Sequence, residues 1–310
     1  MKIITLTLNP AFDVHCQASG LTLHRENLAH IRSVDAGGKG VNLSRALSAN
    51  GISNTPVVVL GEENGELFCQ RLNEEGIVPL TFCVSGRIRE NMTFHEEGAP
   101  ETRISFPGFC ATNDLIDRLE QQILPLCQEE TIITLTGRLP EGISMERAQR
   151  FLLHLRQGGV RTVIDSRSFD RESLLHAKPW LIKPNEEEIS IYGGRAVTTL
   201  AEAASVAQEL CAHGIENVMI SLGSQGAVLC CPAGTYLAHA PSIQATSTVG
   251  AGDSAIAGFL TAFSKGFSAN QCLQYAVAFG SAACLREGTA PPLPQDIRRL
   301  LEQITVQRLS

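Results

Sequence analysis

Six short apolar runs, each closed by turn residues or charge, alternate with stretches whose apolar residues fall three and four apart. That alternation leaves few folds open. The runs are Ile3–Leu8, Val57–Leu60, Thr131–Thr136, Val160–Ile164, Leu181–Lys183 and Val218–Leu222. Strands apolar on both sides belong in a sheet covered on both faces, which is how parallel sheets occur. Between them, Leu67–Glu75, Leu115–Cys127, Met145–Leu155 and Leu200–Cys211 carry helical periodicity. Strand alternating with helix predicts βαβ units and an α/β fold around a mostly parallel sheet. The last third reads as helix over Ser254–Ser264, Ala269–Leu285 and Asp296–Val306, punctuated by Pro291, Pro292 and Pro294.

Two regions break this rhythm. Residues 10 to 36 and 88 to 107 show short alternating patterns without a long helix signal. Met92–Gly98 reads as a strand entering a turn and Thr102–Phe106 as its return. The expectation is a small β-sheet projecting from one domain spanning residues 1–310, able to act as a lid. A pair of ordinary surface hairpins is the rival. No internal repeat or linker separates two domains.

Composition excludes some function classes. Apolar residues make up 44% of the chain, enough for a sizeable core. The net charge of −7 and an aromatic share of 5% argue against a nucleic-acid partner, which wants a basic face and stacking rings. Residues 217 to 252 carry no Asp, Glu, Lys or Arg, but Gly, Pro, Ser and Gln break that stretch, so no membrane span is expected. The ten cysteines fall in no CxxC pattern, which suits reduced thiols and a cytoplasmic chain.

The segment richest in chemistry is Ser247-Thr248-Val249-Gly250-Ala251-Gly252-Asp253-Ser254, with helical periodicity straight after it. Glycines leading into a helix let backbone N–H groups converge on an anion, and Asp253 would face the same spot. Plain helix capping by Asp-Ser is one alternative. A dinucleotide fingerprint is another, since Gly250-x-Gly252-x-x-Ala255 fits GxGxxA, though no acidic residue follows about twenty residues on. Upstream, Ala36-Gly37-Gly38-Lys39-Gly40-Val41-Asn42 permits close backbone approach to a ligand, or is a flexible turn before a helix. A Walker A loop is absent, because Gly40 follows Lys39.

Together with Thr5–Asp13, Arg89-Glu90-Asn91, Lys183-Pro184-Asn185-Glu186-Glu187-Glu188 and Ser221–Ala227, these segments occur in an order that resembles the ribokinase-like (PfkB) carbohydrate kinases nearly end to end. Within them the chain is similar to the 1-phosphofructokinase, tagatose-6-phosphate kinase and minor 6-phosphofructokinase branch. The resemblance implies a three-layer α/β/α sandwich with a β-lid. It implies transfer of the ATP γ-phosphate to a ketohexose monophosphate, with fructose 1-phosphate first, and Mg²⁺ as cofactor. A monovalent cation is a further candidate. Lid edges pairing in a homodimer would cover exposed strands.

The resemblance also implies roles. Asp253 is the general base, and the amides of Gly250, Ala251, Gly252 and Asp253 surround the anion. Asn185 and Glu188 place Mg²⁺ and the triphosphate through waters. Lys183, Ser221, Gly223, Ser224, Gly226 and Thr248 line the nucleotide. Asp13, Gly38, Lys39 and Asn42 hold sugar hydroxyls, while Arg89 and Asn91 meet the substrate from the lid. Two departures bear on which sugar is taken. Arg138 stands in Thr136-Gly137-Arg138-Leu139-Pro140, where the family carries a small Ser near the phosphate site, and so counts among the substrate-binding candidates. Arg103 adds a second guanidinium in the lid, either a phosphate ligand or a surface ion pair. A sugar-phosphate sensor without catalysis, a nicotinamide oxidoreductase and a kinase of unphosphorylated sugars are the rivals.

Overall fold

The computed structural model describes residues 1–96 and 101–309. The chain opens on β1 (Lys2–Thr7), runs out through β2 (Ala11–Ala18) and β3 (Ala29–Gly37), and returns through α1 (Lys39–Ala49), β4 (Thr55–Gly61), α2 (Gly65–Glu74) and β5 (Leu80–Val84). A second excursion, β6 (Arg89–His95) and β7 (Thr102–Ser105), precedes α3 (Asp114–Ile123), β8 (Thr131–Thr136), α4 (Met145–Gln157), β9 (Arg161–Asp165), α5 (Arg171–Ala177) and β10 (Leu181–Ile182). Then come α6 (Glu186–Gly193), α7 (Leu200–Ala212), β11 (Asn217–Ser221), β12 (Ala227–Cys231) and β13 (Gly234–Ala238). The chain closes with α8 (Ala251–Ser264), α9 (Ala269–Ala283), α10 (Pro294–Leu301) and β14 (Val306–Arg308).

The large sheet has ten strands in the order β14-β13-β12-β11-β10-β9-β8-β1-β4-β5. From β5 to β11 every pairing is parallel; β12, β13 and β14 add an antiparallel flank. Side chains alternate across the sheet, and the core divides accordingly. Ile4, Ile133, Ile164 and Ile220 join one cluster with Phe68 of α2, Leu119 of α3, Phe151 of α4 and Val206 of α7. Their neighbours Ile3, Ile132, Val163 and Met219 join another, with Leu43 of α1, Leu260 of α8, Phe279 of α9 and Leu300 of α10. A one-residue slip of any central strand would swap these faces, so two apolar layers fix the register. The result is the expected three-layer α/β/α arrangement.

The two irregular regions form a four-stranded sheet, β3-β2-β6-β7. β2 pairs with β6 in parallel and with β3 antiparallel, and β7 returns along β6. Glu97 and Gly98, at the expected turn between β6 and β7, lie outside the described residues. On one face Phe12, Val14 and Cys16 are buried in the core. On the other, Asp13, His15, Asn91, Thr93, Arg103 and Ser105 line a cleft.

One helix expectation fails at its end. Asp296–Val306 does not continue as helix: α10 stops at Leu301, and Val306 begins β14, whose residues pair with β13. An unclaimed edge of the sheet outweighs local periodicity there. Among the described residues, no helix is long and apolar enough to cross a membrane, and all ten cysteines are free thiols.

Candidate active site

Ligands in parallel α/β sheets bind beyond the carboxyl ends of the strands. Here a cleft of about 1290 Å³ opens at that edge, between the large sheet and the small one. β9 ends on Asp165, β10 is followed by Lys183, and β11 ends on Ser221. All three residues line the cleft.

The loop before α8 delivers the carboxylate. Gly250 caps the helix with φ +76°, a left-handed conformation that suits glycine. Ser254 closes the first turn on the Gly250 carbonyl at 2.9 Å. The Gly252 and Asp253 amides have no backbone acceptor, the Ala251 amide donates to the Thr248 carbonyl at a long 3.4 Å, and the positive end of the helix faces the cleft. A methyl added at Gly252 would stand 3.1 Å from Lys183 Nζ, so an ammonium lies beside those amides. The dinucleotide fingerprint fails here: β13 ends at Ala238, and no strand runs into Gly250 as that motif demands.

Asp253 lines the cleft yet is only 5% exposed. Asn42 Nδ2 donates to its Oδ2 at 3.0 Å. Burial pushes its carboxyl up to about 6; Lys39 opposes that, the Asp165 carboxylate adds to it, and Asn42 and Lys183 oppose it. Asp165 forms the counterpart. Lys39 Nζ donates to its Oδ2 at 3.1 Å, and Lys183 Nζ stands 3.6 Å from the same oxygen. Burial pushes Asp165 up, but the ammoniums of Lys183 and Lys39 outweigh it and hold the carboxyl below its ordinary value. Two buried carboxylates close to two lysines are thus driven in opposite directions, one toward the proton and one away from it.

Asp165 is the residue that sequence reasoning missed. It belongs to none of the recognised segments, and its only signal was its place at the end of a parallel strand. Arg45 was missed too, and it stands behind Asn42 with its Nη1 donating to Asn42 Oδ1 at 3.2 Å.

The small sheet supplies a polar wall. Asn91 Nδ2 donates to Asp13 Oδ1 at 2.9 Å. Burial raises the Asp13 carboxyl despite that bond and nearby His15 and Arg89. Arg89 carries a buried Nε without a hydrogen-bond partner, and burial lowers its pKa against the pull of Asp13. Gly38, Lys39 and Asn42 reach the cleft from the start of α1. Arg103 also lines it, but its guanidinium is engaged with Glu101 at 2.9 Å. Arg138 does not line the cleft. It is exposed beside Arg89, whose pKa its charge helps to lower.

At the other end, Gly223, Ser224, Gly226 and Thr248 line the cleft with Ala276, Val277 and Gly280, a less polar stretch. Asn185 and Glu188 start α6 as a reciprocal cap: Asn185 Oδ1 accepts from the Glu188 amide at 2.9 Å, and Glu188 Oε2 accepts from the Asn185 amide at 3.2 Å. Arg167 Nε donates to the other Glu188 oxygen at 3.2 Å. Among the described residues, no group of three or more His, Cys, Asp or Glu side chains could hold a metal by itself. One carboxylate and one amide at the cleft wall instead fit Mg²⁺, which keeps its waters and borrows phosphate oxygens.

Comparisons with known proteins agree with this arrangement. Residues 13–296 match the pfkB family of carbohydrate kinases. The 1-phosphofructokinase of Vibrio cholerae is 34% identical over 99% of this chain and 97% of that protein. The 1-phosphofructokinase of Bacillus subtilis is 30% identical, covering 99% of this chain and 100% of its own length. The solved structure of phosphofructokinase-2 from Escherichia coli in complex with substrates and products superposes with a TM-score of 0.90 at 28% identity, covering 98% of this chain and 99% of that one. An apolar two-faced sheet, a helix-borne carboxylate and a whole-length likeness converge on one conclusion: this chain belongs to the pfkB family of carbohydrate kinases.

Proposed function

We propose that this protein transfers the γ-phosphate of ATP to the 6-hydroxyl of fructose 1-phosphate, giving fructose 1,6-bisphosphate and ADP. The observation that carries the reading is the buried Asp253 carboxylate, facing the same cleft as the open amides of α8. The acceptor O–H gives its proton to Asp253 as the new O–P bond forms. The bond from the γ-phosphorus to the β–γ bridging oxygen breaks, and ADP leaves with that electron pair. Catalysis of this kind rests on positioning and charge stabilisation rather than on covalent intermediates. The amides of Ala251, Gly252 and Asp253 and the Lys183 ammonium receive the charge of the transferring group. A base with a pKa of about 6 is ionised at neutral pH and still able to take a proton.

Ser221, Gly223, Ser224, Gly226 and Thr248 take the nucleotide. Asn185 and Glu188 hold Mg²⁺ through waters, and Mg²⁺ supplies charge neutralisation along the phosphates. Asp13, Gly38, Lys39 and Asn42 orient the sugar, with Asn91 fixing Asp13. Arg89 takes the substrate phosphate, and Arg103 joins it when it leaves Glu101. Arg138 adds positive potential outside the cleft. The small sheet acts as a lid, part of one kinase domain over residues 1–310.

Fructose 1-phosphate is favoured because the 1-phosphofructokinase of Vibrio cholerae shares 34% identity, against 28% for phosphofructokinase-2 of Escherichia coli. Fructose 6-phosphate is the second reading, supported by the TM-score of 0.90 with the latter. A coupled ADP-release assay over fructose 1-phosphate, fructose 6-phosphate, tagatose 6-phosphate, free fructose and ribose tests the choice. Highest kcat/KM with fructose 1-phosphate is expected, and no turnover with any phosphorylated ketohexose would leave the sensor reading in its place. Potassium in place of sodium in that assay tests the monovalent cation, suggested by a phosphofructokinase-2 structure in complex with potassium. We extend the reading to a homodimer through the small sheet, whose Ile31 and Ile104 are 65% and 45% exposed. Light scattering at the mass of two chains is the expected result.

A further inference from the structure

Asn42 can donate to Asp253 only one way round. Its NH₂ must face the carboxylate, and its oxygen must face a donor. The two ends of a side-chain amide exchange by half a turn, so something has to choose between them. Arg45 is placed to do so. It lies one helical turn after Asn42 on α1 and is only 6% exposed. Its Nη1 donates to Asn42 Oδ1 at 3.2 Å, and its Nη2 donates to the Ala36 carbonyl at 2.5 Å. A guanidinium has five donors and no acceptor, so the NH₂ end of Asn42 cannot take that place.

Arg45 is itself held. Its Nη2 donates to Glu75 Oε1 at 2.7 Å, and its Nε donates to Glu75 Oε2. Glu75 sits just past α2, on an element that does not touch the reacting groups. The chain of contacts therefore runs Glu75, Arg45, Asn42, Asp253, from the exposed end of α2 to the base. Only the Arg45 end of this pair is buried, since the Glu75 side chain is 38% exposed, and an apolar contact of similar volume would hold the helix as well. A guanidinium fork here offers what an apolar pair cannot, a fixed orientation for the amide in front of it.

We propose that Arg45, anchored by Glu75, is a positioning residue for the general base: it locks the Asn42 amide so that its NH₂ faces Asp253. The inference rests on the reading of Asp253 as that base. Arg45 makes no hydrogen bond to Asp253 and acts through Asn42. The other groups facing Asp253 are Lys39 from α1, Asp165 from the end of β9 and Lys183 after β10. Without Arg45, Asn42 is free to turn its oxygen toward Asp253 when that residue carries a proton, accepting from its O–H. The protonated form then gains a partner that Arg45 otherwise denies it, and Asp253 keeps its proton to higher pH.

The test is a ¹³C NMR titration of the Asp253 carboxyl, assigned by its disappearance in Asp253→Asn, in the wild type, Arg45→Met, Asn42→Ala and the double variant. Arg45→Met is expected to raise the midpoint by a few tenths of a unit to about one unit. Asn42→Ala is expected to raise it as well, and the double variant no further than Asn42→Ala alone. The acidic limb of kcat/KM against pH moves with the midpoint while the KM for ATP stays put. Should Arg45→Met not fold, Glu75→Gln keeps the guanidinium but loosens it, and a smaller rise is expected. Arg45→Lys keeps a cationic donor group without the planar fork and is expected to restore part of the midpoint. An unmoved midpoint in the variants that fold, or an equal rise with and without Asn42, overturns the proposal. The titration needs no substrate, so a failed sugar assignment would show in ADP release and leave this result standing.

Discussion

Asp253 is 5% exposed, and its carboxyl is pushed from the ordinary value of 3.8 up to about 6. Ionising it therefore costs the folded protein free energy that the unfolded chain does not spend. Between pH 3.8 and 6 the folded state binds more protons, so stability from this group falls as pH rises through that window. Above it, the full penalty applies: the rise from 3.8 to about 6 corresponds to about 3 kcal/mol. Asp253→Asn keeps the shape and removes the charge. It is expected to be more stable than the wild type by up to about 3 kcal/mol at pH 8, and by roughly half that at pH 5. The difference between the two gains is independent of any constant effect of the amide on packing. Urea unfolding of both proteins at pH 5 and pH 8 measures it. A variant less stable at pH 8, or a gain that does not change with pH, would refute the picture of a carboxylate buried at a cost because catalysis needs it there.

The remaining predictions concern its neighbours. Asp165→Asn leaves Lys183, 4% exposed, without its carboxylate, and is expected to cost about 3–5 kcal/mol in urea unfolding. Because the Asp165 carboxyl is held below 3.8, its contribution is present above that value and lost only as pH falls through the lowered one. The loss is therefore expected at pH 5 as well as at pH 8, unlike the effect at Asp253. Arg89→Ala is expected to raise the KM for fructose 1-phosphate about 10- to 100-fold, the worth of charged hydrogen bonds, with the KM for ATP unchanged in steady-state kinetics. Gly226→Ala places a methyl 2.0 Å from the Ala238 carbonyl oxygen at φ +118°. A loss of more than about 1 kcal/mol and a higher KM for ATP are expected, read from thermal melts and kinetics.

Much of the architecture could be read from the chain because buried parallel strands are apolar on both faces and short. Ile3–Leu8 and Thr131–Thr136 lie where β1 and β8 run. β5, with Leu80 only partly covered and Thr81 and Cys83 exposed, has too weak a pattern at the sheet's edge. β12 and β13, set apart by Pro232-Ala233, lie inside an uncharged stretch whose breaks tell against a membrane span without marking the runs between them as strands. Val306 continues a helical pattern because nothing local reveals that β13 has an edge to offer.

The candidate site divides the same way. Gly250 to Asp253 and Gly38 to Asn42 were visible because glycine, lysine and acid sit within a few residues of one another. Asp165 stands 126 positions from Lys39, and Glu75 stands 30 from Arg45, so neither pair leaves a local pattern. Arg138, a candidate ligand by its neighbours in sequence, is exposed near Arg89 and outside the residues that line the cleft. Contacts made across the sheet are decided by packing, and only the fold brings them into view.

The most direct test of the central claim follows the phosphorus itself. ³¹P NMR of wild-type protein with ATP, Mg²⁺ and fructose 1-phosphate is expected to show fructose 1,6-bisphosphate growing in step with ADP. Asp253→Asn is expected to slow that growth by about 10²- to 10⁴-fold. Bisphosphate formed by the variant at the wild-type rate, or none formed by the wild type from any ketohexose phosphate, would contradict the account.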